Sequence, residues 1–300
     1  MIGATEGRPG GGRRAAGSFQ ARWKARMANL AGKVVLITGS TDGVGRFVAQ
    51  KLGESGAEIL VHGRDRERGR EVVAEIGAGG GKAEFLPADL SSLEEVRGLA
   101  DSVLRKSARL DLLINNAGIG TGGPNATRRT NAAGHELRFA VNYLSGFLLT
   151  SLLLPLLKAS APARIVNVAS AGQQALDFDD LMLSRDYSGT RAYRQSKLAQ
   201  ILFTVDLAQT LKGTGVTVNC LHPATYMATT MVREAGVAPW STVEQGAAAI
   251  LNLAISPALE GRSGLYFDGL KETQANSQAY DAQARERLHA ISLRLVGQPS

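Results

Sequence analysis

A doubly wound α/β fold, one parallel sheet with helices on both faces, is what this 300-residue sequence predicts. Three observations predict it. Short, uninterrupted apolar runs alternate with longer helical patterns along most of the chain. Runs of this kind, apolar on both faces, are what a sheet covered on both sides requires. A glycine string falls between the first run and the first helical pattern. No linker-like stretch follows residue 29, so residues 29–300 read as one domain.

The elements follow in order. "KVVLITG" (33–39) is a buried strand, and "VGRFVAQKLGESG" the helix after it. "AEILVHG" (57–63) precedes the charged helix "RERGREVVAEIG", and "AEFLPAD" (83–89) precedes "LEEVRGLADSVLRK". "LDLLINNAG" (110–118) leads to a long helix around 134–158, and "ARIVNVAS" (163–170) to a helix over about 190–211. "VTVNCLHP" (216–223) and "GLYFDG" (264–269) complete the strands. Strand–helix repetition of this kind winds into a Rossmann-type sheet.

Bulk composition excludes several classes. Hydrophobic residues at 44% and charged residues at 20% describe a globular chain able to bury a core. One cysteine, Cys220, excludes an internal disulfide and a cysteine-cluster metal site, and fits a reducing compartment. The four histidines show no i, i+4 pair, which argues against zinc. The net charge of +7 is concentrated at the N-terminus, where residues 1–28 set six basic side chains against Glu6 alone. That Gly/Arg-rich stretch is expected to be a disordered, solvated tail, and the near-balanced remainder argues against nucleic acid. No apolar signal segment is visible at the N-terminus. The longest apolar run, "FLLTSLLLPLL" (147–157), is shorter than a bilayer span and contains Pro155. A cytoplasmic chain without a membrane span is expected.

The glycine string is "TGSTDGVGR", with Gly39, Gly43 and Gly45 spaced G-x-x-x-G-x-G. Glycine serves where the backbone turns sharply and where a pyrophosphate approaches closer than a Cβ permits. The helix that starts here aims free N–H groups at such phosphates. The end of the second strand chooses between the nicotinamide dinucleotides. An acid there binds the ribose 2′-hydroxyl, and an arginine accommodates a 2′-phosphate. This strand ends "VHGRD", with Gly63 where the acid would stand and Arg64 after it. Asp65 is the competing candidate and reads as the cap of the next helix. NADP(H) is therefore favoured, with NAD(H) the alternative.

"AYRQSKLAQ" (192–200) places Tyr193 and Lys197 four residues apart on one helix, close enough to interact. Taken with "TGSTDGVG", "NNAG" (115–118), Asn142 in "FAVNYLSG" and Ser170, in that order, it resembles the short-chain dehydrogenase/reductase family over residues 31–270. The segments "HELRFAVNYLSGFLLTSLLLPLL" and "YRQSKLAQILFTVDLA" look like its retinol-dehydrogenase-like branch.

The resemblance implies that Tyr193 passes the proton of a substrate oxygen and that Lys197, with the positive charge of the oxidised nicotinamide, lowers its pKa. Ser170 would hydrogen-bond the same oxygen, and Asn142 would support a water-linked proton path. The cofactor contacts it implies are Gly39, Ser40, Gly43, Val44, Gly45, Arg64, Asp89, Leu90, Asn116, Ala117, Gly118 and Pro223, with Tyr193 and Lys197. The chain departs from the family in two places. Twenty-two residues separate Ser170 from Tyr193, an inserted loop that the branch shares. Ala224 stands where the family has glycine after Pro223, which puts the local backbone path in question.

The expected activity is hydride transfer between a nicotinamide cofactor and a carbonyl or alcohol carbon. The alternative is a non-catalytic NADP(H)-binding regulator of the same fold. Tyr226, Met227, Met231, Val232 and Trp240 are expected to form an apolar lid or pocket wall, hence an apolar, unphosphorylated substrate. The surplus apolar surface on helices containing Phe147–Leu157 and Leu198–Leu211 predicts a homodimer or homotetramer.

Overall fold

The computed structural model describes residues 30–123 and 125–298, so the basic N-terminal stretch lies outside the described residues. Strand β1 (Val34–Ile37) is followed by α1 (Gly43–Glu54), β2 (Glu58–Gly63), α2 (Arg66–Ala78), β3 (Lys82–Pro87) and α3 (Leu93–Lys106). Then come β4 (Leu112–Asn115), α4 (Ser145–Ala159), β5 (Ala163–Val168), α5 (Gly189–Thr210) and β6 (Val216–His222). A short helix α6 (Thr230–Glu234), α7 (Val243–Ile255), β7 (Tyr266–Asp268), β8 (Lys271–Thr273) and α8 (Ala282–Leu295) complete the chain. The sheet order is β3-β2-β1-β4-β5-β6-β7-β8, parallel except for β8 against β7. Strand order reverses between β1 and β4, which opens a crevice at the carboxyl ends of these strands.

Alternation along the strands divides the core in two, because successive side chains point to opposite faces. Val34 and Leu36 join the cluster that α3, α4, α5 and α8 cover. Val35 and Ile37 join the one that α1, α2 and α7 cover. Burying each such side chain contributes about 1.5–3 kcal/mol. Asp65, Ser92 and Ser188 begin α2, α3 and α5 by accepting first-turn N–H bonds.

The helix on β4's return is longer than its apolar core. A π-helical stretch, Phe139–Leu144, runs directly into α4, and the continuous helix Phe139–Ala159 has 21 residues. By length and composition it is capable of crossing a bilayer, which corrects the reading of 147–157 as too short. The reason is the added π-helical start, and Pro155 sits inside the helix without ending it. In the domain its Leu148, Leu149, Leu153 and Leu157 are fully buried.

The apolar surplus assigned to a partner subunit is largely met within the chain. Helix α8 lies over α5 and the start of α4: the Tyr143 hydroxyl and Ser292 Oγ are 2.7 Å apart, and the His289 ring lies 5.8 Å from that of Phe147. Leu198, Ile201, Leu202 and Leu207 of α5 are buried within the domain. Leu152, Leu154 and Leu156 on α4 stay half-buried.

Candidate active site

The turn after β1 is built by glycine and by the strand-end polar groups around it. Gly39 and Gly43 take positive φ of 64° and 54°. A Cβ on Gly45 would stand 2.3 Å from the Gly39 carbonyl oxygen, so the loop closes only with glycine there. Thr38 Oγ1 accepts the N–H groups of Asn116 and Ala117, each at 3.0 Å, and Asn116 Nδ2 donates to the Thr38 and Gly39 carbonyls. The "NNAG" segment is thereby stapled to the glycine turn, with Gly118 beside Asn142 and Lys197. Ser40 Oγ, inside the turn, donates to the Ile37 carbonyl at 2.8 Å. Asp42 caps α1 by accepting from Gly43 N–H, and Thr230 Oγ1 of α6 donates to it at 2.7 Å. Burial pushes the Asp42 carboxyl up, but the Thr230 and Gly43 bonds together with Arg68 outweigh it and leave it low.

A histidine that the sequence reading left without a role holds this turn. His62, on β2, accepts the Gly39 N–H on Nδ1 at 3.1 Å, and its side chain is buried. Burial pushes the imidazole from 6.5 down to about 4. Above pH 6.5 it is neutral folded and unfolded and contributes no pH dependence. Below that value the unfolded chain takes a proton that the folded chain refuses until about pH 4. Stability should therefore fall by about 3 kcal/mol across that window from this group alone. Urea unfolding of wild type and His62→Gln at several pH values checks this. The variant's loss toward acid should be smaller by that amount, and equal slopes would remove His62 from the account.

At the end of β2, Asp65 is occupied as the cap of α2, accepting the Glu67 and Arg68 N–H groups at 3.0 and 3.1 Å. A Cβ on Gly63 would press into Thr41 at 2.6 Å. Arg64 projects outward, its side chain 71% exposed, with Nη1 3.9 Å from Asp89 Oδ2. Val44 and Leu90 are buried at the edge of the same crevice.

The four residues expected to work together do converge at the carboxyl edge of the sheet. Ser170 follows β5, and its Oγ accepts the Gly172 N–H at 3.0 Å. Tyr193 and Lys197 lie on the adjoining face of α5, with Nζ 5.9 Å from the centre of the phenol ring. Lys197 Nζ donates to the Val168 carbonyl at 2.8 Å and to Gln200 Oε1 at 2.9 Å. Burial drives the ammonium down to about 7. Burial also raises the Tyr193 phenol above its ordinary value, opposed by its hydrogen bond with Ser170. In the polypeptide alone desolvation of the phenol prevails; the field expected to lower it combines Lys197 with the positive charge of an oxidised nicotinamide.

Asn142 lies in the π-helical stretch, a feature that re-aims side chains and recurs at functional sites. Its Oδ1 accepts Ile119 N–H at 2.7 Å, and its Nδ2 donates to the Ile119 carbonyl and to Ser196 Oγ. The side chain thus fixes the loop after β4.

Beyond β6, Pro223 is buried, and Ala224 does not take positive φ. The left-handed residue here is Tyr226, at φ 45°, two positions further on. Of the expected apolar set, Met227 packs beneath the loop, against Gly246. Tyr226, Met231 and Trp240 are exposed, and the Tyr226 and Trp240 rings meet edge to face at 5.1 Å.

The inserted loop before α5 is anchored by charges that the sequence reading passed over. Glu136 and Arg138 form a buried pair, with side chains 1% and 7% exposed. Arg138 donates to the Gly120 and Thr121 carbonyls, and the Tyr187 hydroxyl of the insertion donates to Glu136 Oε1 at 3.0 Å. Asp180 accepts from the Ser184 hydroxyl and N–H and from Arg185 N–H, which holds its carboxyl far below the usual range. Two charges opening an apolar helix, in "HELRF", were the available signal. Among the described residues, no cluster of His, Cys, Asp or Glu is placed to hold a metal ion.

A doubly wound sheet with a glycine turn at its switch point and Ser, Tyr and Lys at its carboxyl edge defines a dinucleotide-dependent dehydrogenase or reductase. The chain belongs to the short-chain dehydrogenase family, whose model matches residues 33–239. It is an oxidoreductase working between C–OH and C=O, of the retinol-dehydrogenase-like branch. Human retinol dehydrogenase 13 is 39% identical, over 90% of this chain and 86% of that one. An uncharacterised protein from Mycobacterium paratuberculosis superposes with a TM-score of 0.74 at 29% identity, over 91% of this chain and 97% of that one. The RhlG/NADP complex of Pseudomonas aeruginosa gives 0.67 at 30% identity, over 81% of this chain and 96% of that one.

Proposed function

We propose that this oxidoreductase uses NADP(H) and interconverts a carbonyl and an alcohol on an apolar small molecule. The observation that carries the proposal is the meeting of Tyr193, Ser170 and Lys197 beside the glycine turn. Bound NADP(H) supplies or accepts the hydride. The Tyr193 hydroxyl gives its proton to the substrate oxygen during reduction and recovers it during oxidation. The Ser170 hydroxyl donates to the same oxygen and steadies charge developing there. The Lys197 ammonium favours the phenolate once Tyr193 has released its proton. The exposed Tyr226, Met231 and Trp240 favour an apolar substrate, and the name of the retinol dehydrogenase relative points the same way.

The residues fit the cofactor. A side chain on Gly39 or Gly45 would collide with the turn, α1 opens onto it, and Asn116 to Gly118 form a floor. Arg64, exposed and paired only at 3.9 Å with Asp89, is offered to the 2′-phosphate, while Asp65 is committed to its helix. The RhlG complex with NADP supports this choice. Arg64→Asp should weaken NADPH binding about ten- to hundredfold, the loss of a charge-assisted pair. Side-by-side NADPH and NADH titrations check it: a wild type that prefers NADH, or a variant with unchanged NADPH affinity, overturns the assignment.

The activity itself is tested by carbonyl-dependent loss of NADPH absorbance across a panel of apolar aldehydes and ketones that includes retinal. Turnover with the apolar members supports the proposal. Tight NADPH binding without turnover on any member refutes it in favour of a non-catalytic NADP(H)-binding regulator.

A further inference from the structure

Lys197 is a buried ammonium without a counter-ion. Among the described residues no carboxylate forms an ion pair with it, and the two acceptors its Nζ reaches are both neutral: the Val168 carbonyl and Gln200 Oε1. The titratable groups facing it are Tyr193 on its own helix and His222 at the end of β6, whose imidazole its charge disfavours protonating. Neither supplies negative charge at neutral pH. A buried cation held by dipoles and not by a counter-charge depends on each acceptor, because an unmet bond to a buried charge is costly.

Gln200 is suited to that task. It lies one turn beyond Lys197 and is 4% exposed. Its backbone carbonyl accepts the Thr204 hydroxyl at 2.8 Å, and Thr204 in turn accepts Asn167 Nδ2 at 2.9 Å. Asn167 is bonded across the sheet to Asn115 at 2.8 Å. This polar seam, reaching from β4 and β5 into α5, pins the helical turn that carries Gln200. We propose that Gln200 is a positioning residue: its amide oxygen fixes the Lys197 ammonium against the Val168 carbonyl, where it faces Tyr193, and the acid–base behaviour of the pair passes through this contact. The role in turnover rests on the oxidoreductase reading above, whereas the contact with Lys197 does not.

Two variants separate this from simple packing. Gln200→Met keeps the length and removes the acceptor, and Gln200→Glu replaces a dipole with a charge. Lysine-selective isotope labelling, with the Lys197 Cε resonance assigned through Lys197→Met, gives the titration midpoint of the ammonium without any substrate. The midpoint should fall by about one pH unit in Gln200→Met, the size of a lost hydrogen bond to a charge, and rise in Gln200→Glu. Alcohol oxidation by Gln200→Met at neutral pH should drop about tenfold, with its alkaline midpoint displaced upward. An unmoved Lys197 midpoint in both variants overturns the proposal, whatever happens to thermal stability. If Gln200→Met does not fold, the upward shift in Gln200→Glu supports the proposal and its absence overturns it. A wild type without turnover defeats the functional reading and leaves the Lys197 titration to decide this one.

Discussion

Tyr193→Phe should lower turnover by about two to four orders of magnitude while leaving NADPH binding and the unfolding midpoint near wild type. The substitution keeps the half-buried ring and deletes only the hydroxyl, so the packing of α5 against the sheet survives. What is lost is the proton carrier and its hydrogen bond with Ser170. Direction matters for pH. Oxidation needs the phenolate, and burial holds the phenol above its ordinary value, so the wild-type oxidation rate should climb toward alkaline pH. Reduction needs the protonated phenol and should fall over the same range. The variant should show neither limb. Steady-state kinetics in both directions, with NADPH titrated by fluorescence, decide the matter: a variant within tenfold of wild type means that another group moves the proton.

Arg138→Met should cost about 3–5 kcal/mol of stability, the largest loss expected from a single side chain outside the apolar core. Its guanidinium satisfies Glu136 and the Gly120 and Thr121 carbonyls at once, in a setting where both charged side chains are almost fully buried. Methionine fills most of the volume but leaves the Glu136 carboxylate with only the Tyr187 hydroxyl and the Phe139 N–H. The loop after β4 and the insertion before α5 lose their common anchor, and substrate affinity should weaken with them. Removing both charges in Glu136→Leu/Arg138→Met should recover part of the loss, because no unpaired ion remains. Urea unfolding of the three proteins measures this. A loss under about 1 kcal/mol in the single variant would show the pair to be replaceable by water.

The strands were legible because a sheet covered on both faces leaves a local trace: a short, mostly apolar run, as in the VVLI of β1 and the LLI of β4. The glycine turn was legible for a similar reason, since Gly39 and Gly45 are demanded by geometry within one turn. Asp65 as the cap of α2 followed from its place before a charged helix. Helices α7 and α8 were passed over. The second has its buried residues spread among charges. Glu136, Arg138, His62 and Gln200 carry ordinary residue types whose partners lie 17 to 51 positions away or depend on which way one helix turn faces.

By itself the sequence determined the class of fold, the crevice that takes a dinucleotide, and the residues Ser170, Tyr193 and Lys197 as one set. Each of these rests on contacts made within a turn or on an order of motifs along the chain. Only the tertiary structure decided the rest: that α8 packs on α5, that Tyr226 and not Ala224 takes the left-handed turn, and that burial raises the Tyr193 phenol in the polypeptide alone. Burial is the common reason. Whether a leucine needs a partner or a phenol is desolvated depends on which distant segment excludes water from it, and distance along the chain does not record that.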